Sequence, residues 1–390
     1  MEYYKLDFPK AREFKGVKNL LFGIAGPISK DHVTLATGEK LEKYGAVAYS
    51  VSALAKLLEG SRDRIICLSH ISDADMEEVV KLLSHPNVDL SGLLPIDNGM
   101  AEIQLTYKNE CERQSLQISS MEPLSKTEMN ILSGCSAVLL MPLNETDIPL
   151  ECVQELRRTS DAAIFLDAHG LVTGVNEKRE RYRKEWTTAK EWFSHIDILK
   201  MNEHETSWVA GYPLSDQESY VRFATDIVES GLKSCWITFG DQSSLISWSR
   251  LDRVFWAKVP VITGMGPVVD TTGCGDASSA GFIYSYAKIL HSSLLAAVMG
   301  NTMGSLKATF TETNAFPSPP EIRGVIGNRY RDYLHTLLDD FLIKKQVIVH
   351  EIKGGRHDEG VVHSSDDRNI SPGPDHAGNS GGQDAPAQGT

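Results

Sequence analysis

Residues 270–276, with the sequence DTTGCGD, combine the residue types of an anion-binding turn with an acidic side chain. Gly273 and Gly275 shape the turn, and the small residues that follow indicate a helix. The first N–H groups of a helix have no intrahelical acceptor and lie at the positive end of the helix dipole, so they bind oxyanions. Asp276 could then accept a proton from an attacking hydroxyl while the amides hold phosphoryl charge. The alternative is that Asp276 only caps the helix.

A second pair of polar residues, Asn202 and Glu205, follows the predicted strand 197–200 with the spacing N-x-x-E. This spacing places both side chains on one side of a helical turn, where an amide oxygen and a carboxylate could order a hydrated Mg²⁺. The same spacing is typical of a capping box at a helix N-terminus, which is the structural alternative.

A third element, residues 235–245, has the pattern of strand, turn and strand, with Thr238 and Gly240 at the turn. A plain hairpin has nearly the same pattern. This turn therefore identifies no binding site by itself.

Residues 270–276 resemble the signature of the ribokinase-like (PfkB-type) carbohydrate kinases, whose usual form is D-T-x-G-A-G-D. The resemblance implies that Asp276 is the catalytic base and that the amides of Gly273, Cys274 and Gly275 form the anion hole for the transferred phosphate. Cys274 stands where alanine is commoner, and its small thiol keeps the size. The N-x-x-E motif lies upstream of this signature, in the order that the family uses.

The same resemblance assigns the cofactors. It implies that Asn202 and Glu205 hold Mg²⁺, water and phosphate. It implies an ATP site formed by four residues: Thr238, Gly240, Asp270 and Thr272. Activation by K⁺ is a further property of the family, and it would use carbonyl groups near Asp270 and Thr272.

The substrate-binding motifs of the family are less well matched. Residues 26–31 resemble its opening strand and loop, which makes Asp31 the candidate for hydrogen bonds to substrate hydroxyls. Gly45 and Tyr49 fall in a segment that resembles G-G-x-x-x-N, with Tyr44 at the first glycine and Tyr49 at the asparagine. An aromatic ring there favours stacking on a sugar face or a nucleobase. The alternative for Gly45 and Tyr49 is a helix N-terminus that packs on the sheet.

Short apolar runs alternate with amphipathic stretches along the chain, which predicts an α/β fold with a parallel sheet covered by helices. The predicted core strands are 20–25, 64–69, 137–141, 162–167, 197–200 and 234–239. The predicted helices are 43–58, 75–83, 149–158, 180–193, 216–229 and 276–290. With the resemblance, the expected architecture is a ribokinase-like three-layer α/β/α sandwich with a mainly parallel central sheet and a small β-strand lid.

Two segments break this alternation. Residues 88–118 alternate with period two around a polar turn at 108–113, which indicates antiparallel strands of a lid inserted in a kinase domain at 16–345. Residues 354–390 are rich in Gly, Pro, Ser and Asp, and we expect a disordered tail there.

The composition, with 41% hydrophobic and 23% charged residues in 390, is that of a folded protein. The net charge of −13 argues against binding of nucleic acid or anionic lipid through a broad positively charged surface. Apolar runs are shorter than the roughly 20 residues that span a bilayer, and residues 1–15 do not resemble a signal peptide. Six cysteines without CxxC pairs agree with a cytoplasmic location. We expect no nucleic-acid or membrane partner, and paired lid sheets would allow a homodimer.

The leading hypothesis is an ATP-dependent kinase that phosphorylates a hydroxyl of a small polyol, most simply a sugar or sugar-like molecule. A nucleoside or inositol kinase of the same fold is the alternative within the class, because of Tyr49. A catalytically degenerate kinase fold that binds ligands or regulates is the alternative from another class. A dinucleotide-dependent dehydrogenase would need G-x-G-x-x-G after the first strand, and residues 20–31 do not contain it.

Overall fold

The computed structural model describes residues 19–35, 37–97, 99–107, 113–289, 291–327 and 350–352. The strands in these residues are β1 (Leu21–Ala25), β2 (Ile28–Thr34), β3 (Lys40–Ala46), β4 (Arg64–Ile71), β5 (Val88–Asp89), β6 (Leu93–Pro95), β7 (Ala101–Tyr107), β8 (Arg113–Ser119), β9 (Ala137–Leu140), β10 (Ala163–Asp167), β11 (Thr173–Val175), β12 (Arg181–Arg183), β13 (Ile198–Asn202), β14 (Ser234–Phe239), β15 (Ser243–Arg250), β16 (Arg253–Pro260) and β17 (His350–Ile352). The helices are α1 (Val47–Leu58), α2 (Met76–Leu83), α3 (Lys126–Met129), α4 (Leu150–Thr159), α5 (Ala189–Phe193), α6 (Glu203–Ala210), α7 (Gln217–Glu229), α8 (Cys274–Lys288), α9 (Ser293–Lys307) and α10 (Pro319–Val325).

Eleven of the described strands form a central sheet in the order β17-β16-β15-β14-β13-β10-β9-β1-β4-β5, with β6 paired to β4. The strands from β14 to β5 run parallel, and β14 to β17 pair antiparallel. Parallel strands bring their carboxyl ends to one edge of a sheet, so the residues that end β10, β13 and β14 lie near one another.

Alternate residues of the buried strands enter two apolar cores, one on each face of the sheet. In β9, Ala137 and Leu139 join the core that contains residues of α1, α8 and α9, while Val138 and Leu140 join the core that contains residues of α3 to α7. Helices therefore cover both faces. The predicted three-layer α/β/α sandwich is confirmed.

The six predicted core strands are present, each with ends within two residues of the predicted ones. The predicted helix at 43–58 is partly wrong, because Lys40–Ala46 is a strand and the helix begins only at Val47. Ala46 has φ 51°, a sharp bend that separates the two elements. The cross-strand pairing of β3 with β2 decides the conformation here, and this pairing is not visible in local periodicity.

The predicted helix at 180–193 is also wrong over most of its length. Its first residues form β12, which pairs with β11 as a hairpin, and only Ala189–Phe193 is helical. The Asn176 side chain accepts the backbone N–H groups of Lys178 and Glu180 and closes the turn between the strands. An asparagine that bonds to the backbone ahead of it favours a turn over a helix.

A second sheet of four strands, in the order β3-β2-β7-β8, carries the lid. The predicted lid strands at 101–107 and 114–118 are found as β7 and β8, and the turn predicted at 108–113 falls mainly on residues outside the described ones. Two strands from the N-terminal part of the chain, β2 and β3, complete this sheet, whereas residues 88–95 contribute β5 and β6 to the central sheet. Asp31 therefore lies on a strand of the lid sheet.

The predicted tail at 354–390 lies outside the described residues. In the part of the chain that the structure describes, none of the helices has the length and apolar character to cross a membrane.

Candidate active site

The Asp270 side chain holds the turn before α8 through one partner inside the turn and one outside it. Asp270 Oδ1 accepts the N–H of Thr272 at 2.8 Å, and Asp270 Oδ2 accepts Lys43 Nζ of the lid sheet at 2.7 Å. Gly273 then caps the helix with a left-handed φ of 81°, and a Cβ there would lie 2.5 Å from the Tyr49 ring. Both constraints require glycine at this position.

The amides at the start of α8 differ in what they bind. The N–H of Cys274 donates to the Thr271 carbonyl at 3.3 Å. The N–H groups of Gly273 and Gly275 have no acceptor among the described residues. In the structure the N–H groups of Gly273 and Gly275 are thus available to a ligand and that of Cys274 is engaged, and the three-amide anion hole stays a prediction. The Cys274 side chain is half-buried and lies beneath the turn, 3.9 Å from the Asp270 carbonyl oxygen.

Asp276 lies in the first turn of α8 and is half-buried. Burial raises the pKa of its carboxyl to about 7, Lys200 opposes this rise, and the charges of Asp167 and Asp31 reinforce it. The Ser50 hydroxyl of α1 donates to the Asp276 backbone carbonyl at 2.8 Å and fixes this turn. A carboxyl with a pKa near 7 can exchange a proton with substrate at neutral pH.

Lys200 of β13 is a functional candidate that sequence reasoning missed. Its side chain is buried, and Nζ donates to Asp167 Oδ2 at 2.7 Å and to the Gly275 carbonyl at 2.8 Å. The Ser279 hydroxyl donates to the same carboxylate at 3.1 Å. This network ties the ends of β10 and β13 to the first turn of α8. The available signal was a lysine within an otherwise apolar strand segment.

Asp31 and Gly45 lie on the neighbouring strands β2 and β3, where Asp31 is paired with Lys43 and Gly45 with Ser29. The Asp31 carboxylate is buried, and its charge contributes to the raised pKa of Asp276. A Cβ at position 45 would lie 2.5 Å from Asp31 Oδ2, so only glycine leaves room for the carboxylate. The structure thus brings the predicted pair Asp31 and Asp276 together, one from the lid sheet and one from α8.

Tyr49 does not lie where the sequence suggested. The residue has no exposed surface, and its ring packs against Gly273. Burial raises the pKa of its hydroxyl far above the usual value. The expected stacking of a substrate on Tyr49 has no exposed ring face on which to occur. Of the two sequence interpretations of Tyr49, the structure favours a buried packing residue at a helix N-terminus, because Tyr49 lies in the first turn of α1.

Asn202 and Glu205 form the capping box that was the structural alternative. Asn202 Oδ1 accepts the N–H of Glu205, and Glu205 Oε2 accepts the N–H of Asn202, both at 2.9 Å. Glu205 Oε1 is bound by His169 Nδ1 at 2.8 Å and by Arg183 at 3.1 Å. Burial alone would raise the pKa of Glu205, but these donors lower it below its usual value.

These contacts do not fit the Mg²⁺ role expected for Asn202 and Glu205, because both oxygens of Glu205 and the Asn202 amide oxygen already accept protein hydrogen bonds. Within the described ranges, no cluster of three or more His, Cys, Asp or Glu side chains could hold a metal ion. These contacts disfavour direct coordination of Mg²⁺ by Asn202 and Glu205, and their expected role in holding a hydrated Mg²⁺ stays a prediction.

Thr238 and Gly240 lie at the end of β14, beside the N-x-x-E motif. Thr238 is paired with Asn202 in the sheet. Gly240 has φ 54°, and a Cβ there would have only Glu203 Oε1 within 4 Å, at 3.9 Å. The backbone at this turn is thus open to an approaching ligand, which fits the predicted nucleotide contact. A cavity of about 550 Å³ is lined by Glu203, Arg183, Trp208 and Tyr212 among others, and Asp276 does not line it.

The chain is similar to known carbohydrate kinases in sequence and in fold. The sequence profile of the pfkB family carbohydrate kinases matches residues 123–320. A curated ribokinase from Haemophilus influenzae is 23% identical over 282 residues, which cover 67% of this chain and 83% of the relative. The structure of Arabidopsis thaliana ribokinase complexed with ribose and ATP superposes with a TM-score of 0.63 at 17% identity and covers 80% of this chain and 99% of that chain.

A further similar structure is a pyrophosphate-dependent kinase in the ribokinase family, complexed with a pyrophosphate analog and myo-inositol. It superposes with a TM-score of 0.61 at 18% identity and covers 75% of this chain and 97% of that chain. These structural likenesses support the fold, and the family profile includes both the N-x-x-E motif and the turn before Asp276. The chain therefore belongs to the pfkB family of carbohydrate kinases.

Proposed function

We propose that this chain transfers the γ-phosphoryl group of ATP to a hydroxyl of a small polyol, either a sugar or an inositol. The observation that carries the proposal is the position of Asp276, beside the unengaged amides of Gly273 and Gly275 at the N-terminus of α8. Its pKa of about 7 suits a group that must be ionised to take a proton at neutral pH.

In the proposed step, Asp276 accepts the proton of the acceptor hydroxyl as that oxygen bonds to the γ-phosphorus. The bond from phosphorus to the bridging oxygen breaks, and its electron pair leaves with ADP. The amides of Gly273 and Gly275 hold the charge of the phosphoryl group in transit. Asp276 then releases its proton to solvent. No step depends on a metal bound by Asn202 or Glu205.

The acceptor is proposed from the groups that face Asp276. Asp31 is a second carboxylate near the base, and carboxylates accept hydrogen bonds from adjacent hydroxyls. The argument for a nucleoside rested on Tyr49, which is buried. Two of the structural neighbours hold ribose or myo-inositol. A sugar and an inositol therefore stand ahead of a nucleoside.

The donor is proposed to be ATP, with Thr238 and Gly240 near its adenine base and the turn before α8 near its phosphates. The Asp270 side chain is held by Thr272 and Lys43, so we assign it the role of shaping the turn. Pyrophosphate is the competing donor, since one neighbour is named for it. Parallel assays with ATP and pyrophosphate separate the two.

The alternative from another class is a kinase fold that binds ligand without turnover. Two features favour catalysis. Asp276 lies beside two amides that have no protein acceptor, and it is surrounded by the charges of Lys200, Asp167 and Asp31. A pure binding protein needs no base with a pKa near 7 at that position.

The test incubates the protein with ATP, Mg²⁺ and each member of a panel of sugars, inositols and nucleosides. Product formation is measured by ADP release and by mass spectrometry of the acceptor. We expect at least one sugar or inositol to gain a phosphate. Asp276→Asn should lower kcat by about 10²- to 10⁴-fold. Asp226→Asn, which changes an exposed aspartate of α7, is the matched control and should leave kcat unchanged. Ligand binding without product for every acceptor would support the binding-protein alternative.

A further inference from the structure

Lys307, the last residue of α9, is a fully buried lysine that the proposed reaction does not use. Its Nζ donates to the Phe310 carbonyl at 2.9 Å and lies 3.9 Å from Asp270 Oδ2. It also lies 5.2 Å from the centre of the Tyr49 ring and 5.0 Å from that of Phe310. A buried ammonium group needs such partners to offset its lost hydration.

These contacts place the ammonium group directly behind the anion-binding turn. The N–H groups of Val269 and Asp270 donate to the Ala308 carbonyl at 2.7 and 3.3 Å, so the end of α9 is fixed to the segment that leads into the turn. Tyr49 contacts both Lys307 and Gly273. Only the Tyr49 ring therefore separates the positive charge of Lys307 from Gly273, which carries the first amide of the turn.

This arrangement conflicts with the monovalent cation expected near Asp270 and Thr272. The Asp270 carboxylate already has Lys43 at 2.7 Å and Lys307 at 3.9 Å. A K⁺ ion beside Asp270 would be a third positive charge at one carboxylate, and the Phe310 carbonyl already accepts a hydrogen bond from Lys307. Mutual repulsion in a site with little water disfavours such an ion.

We propose that the Lys307 ammonium group is a built-in replacement for a monovalent cation, so that this chain needs no K⁺ for stability or phosphoryl transfer. The charge lies where it can stabilise the Asp270 carboxylate and the turn that Asp270 shapes. The part of this inference that concerns catalysis rests on the proposed function. The part that concerns cation binding does not.

The first experiment compares the wild-type protein in KCl and in choline chloride at equal ionic strength. Thermal unfolding reads cation binding without reference to activity, because a ligand that binds only the folded state raises Tm. We expect the same Tm in both salts, and the same kcat within about two-fold once an acceptor is known. A Tm or kcat that rises specifically with K⁺, compared with Na⁺ and choline, would overturn the proposal. This comparison needs no variant.

The second experiment uses two substitutions that differ in the space they leave. Lys307→Ala removes the charge and opens a cavity, whereas Lys307→Met removes the charge and keeps most of the volume. We expect Lys307→Ala to lose Tm and roughly ten-fold or more in kcat in choline chloride, and to recover both in part with KCl or NH₄Cl. Lys307→Met should lose as much Tm and kcat as Lys307→Ala, and neither KCl nor NH₄Cl should restore them. Lys288→Ala is the control, since it removes the ion pair with Asp63 at the far end of α8.

The outcomes distinguish the proposed role of Lys307 from the proposed kinase function. A folded Lys307→Ala that keeps wild-type Tm and kcat in choline chloride would overturn the role of Lys307. Recovery of Lys307→Met to the same degree as Lys307→Ala would also contradict it, because an ion would then act without occupying the ammonium site. If no acceptor is ever phosphorylated, the proposed function fails, and the Tm comparison still decides the cation question.

Discussion

Replacing Lys200 by methionine tests the electrostatic control of Asp276. Lys200 Nζ is 2.7 Å from Asp167 Oδ2 and 2.8 Å from the Gly275 carbonyl, and its side chain is buried. Methionine keeps most of the volume but removes the charge. Asp167 then loses its ion pair in a buried site, for which we expect a stability loss of about 3–5 kcal/mol.

The same change should move the pH profile of the reaction. Lys200 lowers the pKa of Asp276, which is about 7, so its removal raises that pKa. Because the base must be ionised, the acidic limb of kcat/KM shifts to higher pH, by about one unit for ~1.4 kcal/mol of lost charge stabilisation. At pH 7 the ionised fraction would fall from about one half to about one tenth, a roughly five-fold loss in rate from ionisation alone.

The assay is kcat/KM for Lys200→Met and wild type across the pH range in which both stay folded. Lys288→Met is the matched control, because it breaks the ion pair with Asp63, far from Asp276 in the fold. The control should lose stability without a shifted profile. An acidic limb of Lys200→Met that coincides with that of the wild type would refute the reasoning.

Two further substitutions test the substrate side of the site. Gly45→Ala should displace the Asp31 carboxylate, because the added Cβ would lie 2.5 Å from Asp31 Oδ2, and we expect KM for the polyol to rise by about ten-fold. Gly134→Ala is the control, because no atom lies within 4 Å of its added carbon. An equal KM for both variants would contradict the assignment of Asp31 to substrate binding. Tyr49→Phe keeps the packing against Gly273, so KM should change by less than about two-fold in steady-state kinetics. A ten-fold rise would instead place the Tyr49 hydroxyl in contact with substrate.

Local sequence patterns were sufficient for the buried strands and for the turn before α8. Strands such as Ala137–Leu140 and Ser234–Phe239 are short, mainly apolar runs, and burial on both faces of a parallel sheet produces that pattern. Gly273 and Gly275 could be identified because a close backbone approach at a helix N-terminus restricts the residue type. These features depend on neighbours in the chain.

The features that sequence reasoning missed depend on distant partners. Lys200 pairs with Asp167, 33 positions away, and Lys43 pairs with Asp270, 227 positions away. The burial of Tyr49 depends on the approach of Gly273 from another helix. Periodicity describes which face of an element is apolar, but it does not identify the group that a single charged or aromatic residue meets across the fold. The cytoplasmic location and the homodimer stay predictions.

Single-turnover phosphoryl transfer by wild type and Asp276→Asn is the most direct measurement of the central claim, that the carboxylate at the N-terminus of α8 takes the acceptor's proton. Both proteins are mixed with ATP, Mg²⁺ and the acceptor identified from the panel, and calorimetry measures the affinity for each substrate. We predict unchanged affinities and a transfer rate lower by at least about 10²-fold in the variant. A transfer rate within ten-fold of the wild type, at the same affinities, would show that another group removes the proton and would contradict the account.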